Sequence, residues 1–545
     1  MLSFSRHHFL AGTACLLLAG CGADDVASPG AGNIDVIVTP APTPTPPTTG
    51  TPTPSPITAA QFAVATTQSG VTITADEQFA LVNAGTNNNV NGAAGLNGIY
   101  PVNNTPLTTP SNPTTLGNFF VPASFVGAVS GPDDTSFQGW TCNSSSANFG
   151  GTTTACTAVP NIGTLAAGAA CPTGTTDDGL VAGFRACRLP EKITSSLTLP
   201  KIAGVFYRFR GQTEVGVDVG SQGADSGVTL TIAPGVVLAA DSSEASNDLI
   251  LVNRGSRINA VGTAAAPIIF TSQQNLTANG VSDSTQGQWG GLILLGRAPT
   301  AVCAAGTGGN NQGGTTGNDA GGTSTTCQAP IEGVPGRFYG GTNQADNSGT
   351  LQYVQIRYTG IAISEGNELQ GLTLGGTGSG TTIDHVQSHN SADDGIEIFG
   401  GTTNLKYFVV TGADDDGFDV DNGWRGFMQF IIAAQKAGGA TADSFATEID
   451  SNGAEDLLPR TFGRYANFTF IQTAPSAPAA IRLRGGADFA FVNGVVKTGS
   501  GQGCINLVAG AGSGDTRTTI RPADAALQDV GPPTFNSVYF QCQGR

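Results

Sequence analysis

Residues 381–401 read TTIDHVQSHNSADDGIEIFGG, and residues 402–423 read TTNLKYFVVTGADDDGFDVDNG. Ile383 matches Leu405, Asp394 matches Asp416, Gly395 matches Gly417 and Ile398 matches Val420, each 22 residues on. Each copy holds two short runs of alternating apolar residues separated by polar, glycine-rich turns. A period this short fits one coil of a solenoid. A single copy cannot bury its own apolar side chains, so the copies must stack.

The repeat continues in both directions. One apolar position recurs at Leu374, Ile398, Val420, Ile449, Leu483 and Leu507, with spacings of 24, 22, 29, 34 and 24. The turns vary while the strands keep register. The preceding strand is expected to repeat as Ile383, Leu405, Met428, Phe468 and Phe489. Alternation with period two gives each run one buried and one wet face. The segment Gly227–Leu238 is expected to open the series, and Asn367–Gly376 to supply a later coil.

Several segments carry a resemblance: Leu230-Thr-Ile-Ala-Pro-Gly235, Ile258–Thr263, Pro267–Thr271, Gln288–Leu292 and the Asp-Asp-Gly coils. Together they resemble the right-handed parallel β-helix, pectin-lyase-like lipoproteins of Gram-negative bacteria, over roughly residues 190 to 545. The resemblance implies an all-β, right-handed parallel β-helix and carries no particular activity.

The chain is acidic, with 40 Asp and Glu against 23 Lys and Arg and a formal charge of −17. That balance argues against nucleic acid and anionic membrane surfaces as partners and favours cations and neutral or cationic ligands. Residues 1–21 read as a lipoprotein signal: Arg6, then the apolar run Phe9–Leu18, then Leu18-Ala19-Gly20-Cys21, which matches the bacterial lipobox. Cleavage before Cys21 and acylation of that cysteine are expected, so the partner at this end is the membrane. Gly22 follows the cysteine rather than Asp, which by resemblance to enteric sorting rules implies the outer membrane. No later apolar run approaches the roughly 20 residues of a spanning helix. Residues 22–58 form a Pro/Thr-rich tether, extended at roughly 3.1 Å per residue. Residues 59–190 read as a loop-rich β region capping the solenoid, and residues 191–545 as the β-helix.

Eight cysteines remain for the folded part, in local pairs: Cys142 with Cys156, Cys171 with Cys187, Cys303 with Cys327 and Cys504 with Cys542. Such pairs suit an oxidising compartment. Closing the Gly/Asn/Thr loop between Cys303 and Cys327 contributes about 3 kcal/mol. No Cys-x-x-Cys is present, which argues against zinc.

The candidate chemistry lies beside the buried register. Outward positions in successive coils are Thr373, Glu397, Asp419, Glu448, Arg482 and Asn506, with Asp421, Asp450 and Arg484 in a parallel column. Strands stacked about 4.8 Å apart would bring Glu397, Asp419, Asp421, Glu448 and Asp450 onto one face. Opposed like charges on a sheet destabilise it, so a counter-cation, raised pKa values or the neighbouring arginines must answer them. Calcium suits such oxygen ligands, and Asp450–Gly453 with Glu455 and Asp456 offer more. A solvated acidic face is the alternative. Asp394 with Asp415 or Asp416 also invites a polysaccharide-hydrolase reading, in which two carboxyls stand about 6.5 to 9.5 Å apart. Pectin-degrading hydrolases of this fold carry a Gly-His-Gly turn that His385 and His389 do not supply. Turn capping by Asp is the simpler role. A lyase would need Arg482 or Arg484 as base, and arginine stays protonated. The expected function is a binding module at the cell surface for a saccharide, a cation-bridged polymer or an outer-membrane partner. A polysaccharide-degrading enzyme and a structural surface protein are the alternatives. Tyr407, Phe399 and Trp424 are the expected aromatic platforms.

Overall fold

The computed structural model describes residues 77–80 and 110–543 except 132, 243–246, 305–324, 365–366, 439, 452–456, 509–522 and 532. Cys21, the signal and the tether lie outside the described residues, as do 452–456 with Glu455 and Asp456. Two long sheets, of 11 and 16 strands, run the length of a parallel β-helix. Each coil places a short strand in the first sheet and a longer strand in the second. The register of the short strands follows the sequence: Leu374 pairs with Ile398, then Val420, Ile449, Leu483 and Leu507. Leu374, Ile398, Val420, Ile449 and Leu483 are fully buried and stack along the interior. Their alternation pays off only because every coil supplies the next one's buried face.

The longer strands depart from expectation. Met428 pairs with Tyr465, which pairs with Phe491; Phe468 instead follows Ile431, and Phe489 follows Gly463. The reason is a kink that interrupts the alternation once per coil. Tyr353, His385, Tyr407, Phe430, Asn467 and Asn493 occupy this position with φ between 51° and 58°. Left-handed backbone costs a non-glycine residue roughly 1–2 kcal/mol, so each kink needs an offsetting contact. Four of the six form a continuous ring stack, with centroids 4.4 Å (Tyr353–His385), 4.3 Å (His385–Tyr407) and 4.8 Å (Tyr407–Phe430) apart. The coils also begin before Gly227, since Lys192–Ile193 and Val205–Phe209 already pair in the two sheets.

Residues 110–165 form a strap along the flank of the solenoid, laid against the 16-stranded sheet from the last coils back to the first. Ser111 N–H donates to Asn493 Oδ1, Val121 N–H to Gln429 Oε1, and Cys142 N–H to Gln387 Oε1. The strap is a run of loop, so its backbone has no ladder to join. Outward Asn and Gln side chains of the sheet take the place of one. Val126, Phe137, Trp140 and Phe149 add an apolar seam against Val409, Ile432 and the kink stack. The strap leads into the hairpin Thr176–Val181 and Phe184–Arg188, whose second strand starts the parallel series. At the other end, Glu77–Ala80 pairs antiparallel with Gly503–Val508, so the last edge of the first sheet is not bare. All four cysteine pairs are disulfides. Among the described residues no helix is long and apolar enough to cross a membrane.

Candidate functional site

The acidic columns stand where the strand register puts them. Glu397 pairs with Asp419, Asp419 with Glu448, and Glu448 with Arg482. They point away from the solenoid interior, yet the expected solvent-facing ladder is not there: Glu397, Asp419 and Glu448 are each at most 2% exposed. Beside Glu397 and Asp421 part of the cover is a roof over the outer face of the 11-stranded sheet, and over Glu448 it is Arg482 and Arg484. In the excursion between the strands Leu292–Leu295 and Gly349–Arg357, the described residues 296–304 and 325–348 fold back against that face. Ala329, Ile331, Val334 and Tyr339 pack on Leu251, Leu295, Leu369 and Phe399. Ala301 N–H donates to the Asn422 carbonyl, which fastens the same excursion beside Asp421.

Under that roof the carboxyls divide into two groups. At the C-terminal end the charge is answered by arginine. Arg484 contacts Glu448 at 2.6 Å and Asp450 at 3.0 Å, and Arg482 lies 3.3 Å from Glu448. Burial nevertheless raises Glu448 to about 7, against the lowering pull of the two guanidiniums. Asp421 rises to about 8 by burial and the neighbouring Asp450.

At the N-terminal end no described base pairs with Asp394 or Glu397, and Arg484 acts on Asp419 only as a more distant charge. Carboxylate oxygens of Asp394, Glu397 and Asp419 lie within 4.8 Å of one another. Burial, then like charges, pushes all three well above the ordinary carboxylate range. Glu397 Oε2 and Asp419 Oδ1 are buried with no hydrogen-bond partner among the described residues. Of the residues expected to share a cation, the structure therefore keeps Glu397 and Asp419 together, adds Asp394, and commits Glu448 and Asp450 to arginines.

Asp394 also shows what its turn does. Its Oδ1 accepts the Asp416 N–H one coil on at 2.8 Å, and Asp416 in turn accepts the Phe445 N–H. These aspartates cap the backbone of the next coil, so the spacing of 22 residues is a stacking device. Asp415 accepts from Thr441 instead. Asp394 and Asp416 are at most 5% exposed, which leaves no room for a sugar between them. His389 is fully buried, with its pKa lowered to about 3 by burial and by the Arg357 and Lys436 charges. His385 belongs to the kink stack. Phe399 and Trp424 are buried, and Tyr407 is stacked between rings, so none of the three expected platforms faces solvent as an open surface.

An open concavity lies elsewhere, on the edge where the first sheet turns into the second. It is a recess of about 510 Å³. Arg425, Phe462 and Arg464 form one wall, and Thr402, Asn404 and Gln344 contribute polar groups. Arg464 sits over the rings of Phe427 and Phe462, 4.1 and 4.4 Å from their centroids. Phe119 from the strap stacks on Phe427 and carries Lys406 over its own ring at 4.5 Å. No carboxylate or imidazole lines the recess among the described residues. The sequence did hold a signal: Arg425-Gly-Phe427 and Phe462-Gly-Arg464 place an arginine and a phenylalanine two apart in successive coils. Their separation along the chain hid the contact.

A buried, capped solenoid of parallel strands with an open edge recess defines a β-helix protein. Residues 214–531 match the family model described as a pectate-lyase like beta helix domain, and the chain belongs to that family. No curated protein and no solved structure matches the chain.

Proposed function

We propose that this chain is an outer-membrane-anchored lipoprotein, held by lipid on Cys21 and lifted by the tether of residues 22–58. Its β-helix acts as a non-catalytic binding module for a saccharide, a cation-bridged polymer or a receptor partner. The observation that carries this reading is the composition of the open recess. It offers hydrogen-bonding groups, cations and aromatic rings, but no described group able to act as acid or base. Hydrolysis of a glycosidic bond needs two carboxyls in the cleft. Among the described residues, two close carboxyl clusters, Asp394 with Glu397 and Asp419 and Asp393 with Asp394 and Asp415, lie outside the recess.

Calcium enters the same reading as a structural ion for Asp394, Glu397 and Asp419. Two buried carboxylate oxygens with no described partner are the kind of hard donor that calcium accepts. An ion there would replace the repulsion among the three groups with attraction.

The test is a parallel screen of the whole lipidated chain in detergent, with and without calcium, against neutral and acidic glycans. Binding is read by calorimetry, and cleavage by new reducing ends or unsaturated products. Saturable binding of a glycan with no product is the expected result. Product formation that scales with protein would move the chain to the enzyme class.

A further inference from the structure

We propose that Lys436 and Gln286 are joined by an intramolecular isopeptide bond, formed with loss of ammonia and with Asp414 as the proton relay. The link lies on the flank where the long strands turn into the short ones, and it does not depend on what the recess binds.

The three residues occupy the same turn in different coils. Gln286 lies between the strands Ile268–Ser272 and Leu292–Leu295, Asp414 between Asn404–Thr411 and Phe418–Asp421, and Lys436 between Phe427–Ala434 and Thr447–Ile449. Lys436 Nζ donates to Gln286 Oε1 and lies 3.3 Å from Asp414 Oδ1. Gln286 Nε2 donates to Asp414 Oδ2 at 2.9 Å. An ion pair would need only the lysine and the aspartate. Here the closer contact of the amine is an amide, and the carboxylate spans the amine with one oxygen and the amide nitrogen with the other. That is an acyl group, a nucleophile and a base that reaches both the nucleophile and the leaving group.

Each corner of the triangle is fixed by its backbone. The Gly287 and Gln288 N–H groups donate to the Thr359 and Tyr358 carbonyls at 2.9 Å, and Asn390 Nδ2 donates to the Asp283 carbonyl at 2.8 Å. Asp414 N–H donates to the Ser391 carbonyl at 2.9 Å, and the Asp414 carbonyl accepts the Thr441 N–H at 2.8 Å. Lys436 N–H donates to Gln435 Oε1 at 2.7 Å, and Gln435 Nε2 donates to Ser444 Oγ at 3.0 Å. Groups held in contact react as though at very high concentration. Lys436 is also buried. Burial lowers its pKa against the raising pull of Asp414, which enlarges the share of neutral amine, the nucleophilic form.

The step balances without an added reagent. Lys436 Nζ gives one proton to Asp414 Oδ1 and attacks Gln286 Cδ, which forms the new C–N bond. Asp414 passes that proton to Nε2. A second proton leaves Nζ through the same carboxylate as the Cδ–Nε2 bond breaks, and ammonium departs. The carboxylate ends as it began, and the positive charge of Lys436 leaves with the ammonium. Asp414 is the poorer acyl donor of the two neighbours, because a carboxylate repels an electron-rich nucleophile and an amide does not. The product closes a loop across 150 residues, and unlike the four disulfides it survives reduction.

The experiment is peptide mapping of the whole chain, purified from a Gram-negative host, reduced, alkylated and digested with trypsin, which does not cut after an acylated lysine. The expected product is peptide 258–297 joined to peptide 426–460. It should be lighter than the two together by one ammonia, with fragment ions that place the branch at Gln286 and Lys436. In reducing denaturing gels the wild-type chain should run ahead of Lys436→Arg, since its loop stays closed. Lys436→Arg and Gln286→Ala should both lack the branch and melt at a lower temperature, because the unfolded chain is no longer constrained. Asp414→Ala should leave most of the chain unlinked. Free peptides 258–297 and 426–436 throughout the wild-type chain would overturn the proposal, whatever the variants do. A branch from Lys436 into peptide 407–425, lighter by one water, would overturn it by making Asp414 the acyl donor. A Gln286–Lys436 branch that persists in full in Asp414→Ala would overturn the relay.

Discussion

Asp419 carries two claims at once, a place in a strand register and a buried charge that Arg484 answers only from a distance. The register was legible: counting apolar residues from Leu374 to Leu507 placed Glu397, Asp419 and Glu448 side by side. Their burial was not, in part because the roof comes from an excursion whose apolar residues, Ile331, Val334 and Tyr339, are short runs with no period. The consequence is a definite pH dependence. Asp394, Glu397 and Asp419 are raised in the folded state, Asp421 to about 8 and Glu448 to about 7. The folded protein therefore holds more protons than the unfolded chain above the ordinary carboxylate values near 4. Stability is fully present below that point and is lost as pH rises through 7 to 8. Calcium competes with the protons on Asp394, Glu397 and Asp419, so its stabilising effect should grow as pH rises. Thermal melts of the calcium-free protein should show a falling midpoint from pH 5 to 8, with calcium restoring more at pH 8 than at pH 5. Asp419→Asn should abolish the calcium effect and leave the calcium-free protein at pH 8 more stable, since it removes a buried carboxyl whose pKa is raised by burial and like charges. A destabilised variant together with a calcium-blind parent would assign Asp419 a purely structural role.

At the scale of elements, the strap is the part that pattern reading could least foresee. Its residues are loop-like, and the side chains that hold it, Gln355, Gln387, Gln429, Asn467 and Asn493, occupy outward positions or kinks of the long strands. Period two assigns the outward positions to water. In the structure they clasp a backbone instead. Gln429 accepts from the Val121 N–H and donates to its carbonyl at 2.8 Å, and Gln387 does the same for Cys142. Two groups served by one side chain make the loss of that side chain costly, because an unmet buried polar group costs about 1–3 kcal/mol. Gln429→Leu keeps the volume and removes both partners of Val121. The expected outcome is local: faster proteolytic nicking near residues 115–130 with a modest fall in melting temperature. The Cys142–Cys156 loop, anchored separately at Gln387 and Arg357, should stay protected. Uniform loss of protection along the whole strap would mean that the strap unfolds as one unit.

For the whole molecule, the strap and Glu77–Ala80 have a joint effect on how the protein is carried. The chain reaches the last coil first, pairing with Gly503–Val508, and only then runs back along the flank to begin the solenoid at the far end. The N-terminal side of the folded part is thus fastened at two ends of the β-helix, and force or diffusion acting through the N-terminus is borne by contacts that span the chain. That arrangement suits a body held at its N-terminus, which is what Leu18-Ala19-Gly20-Cys21 calls for. On the proposed anchoring, a tether of residues 22–58 extended at roughly 3.1 Å per residue would hold the solenoid several nanometres from a bilayer. A single acyl chain binds a membrane only marginally, whereas several chains on one residue hold it firmly. Anchoring should therefore depend wholly on Cys21. In a Gram-negative host, the wild-type chain should sediment with the outer membrane and yield an N-terminal peptide whose mass includes the lipid. Cys21→Ala should appear in the soluble fraction with no lipid on that peptide, and with an unchanged melting temperature, since position 21 precedes the folded part. Retention of the variant in the membrane with an unmodified N-terminal peptide would show that the folded body itself, and not the cysteine, makes the attachment.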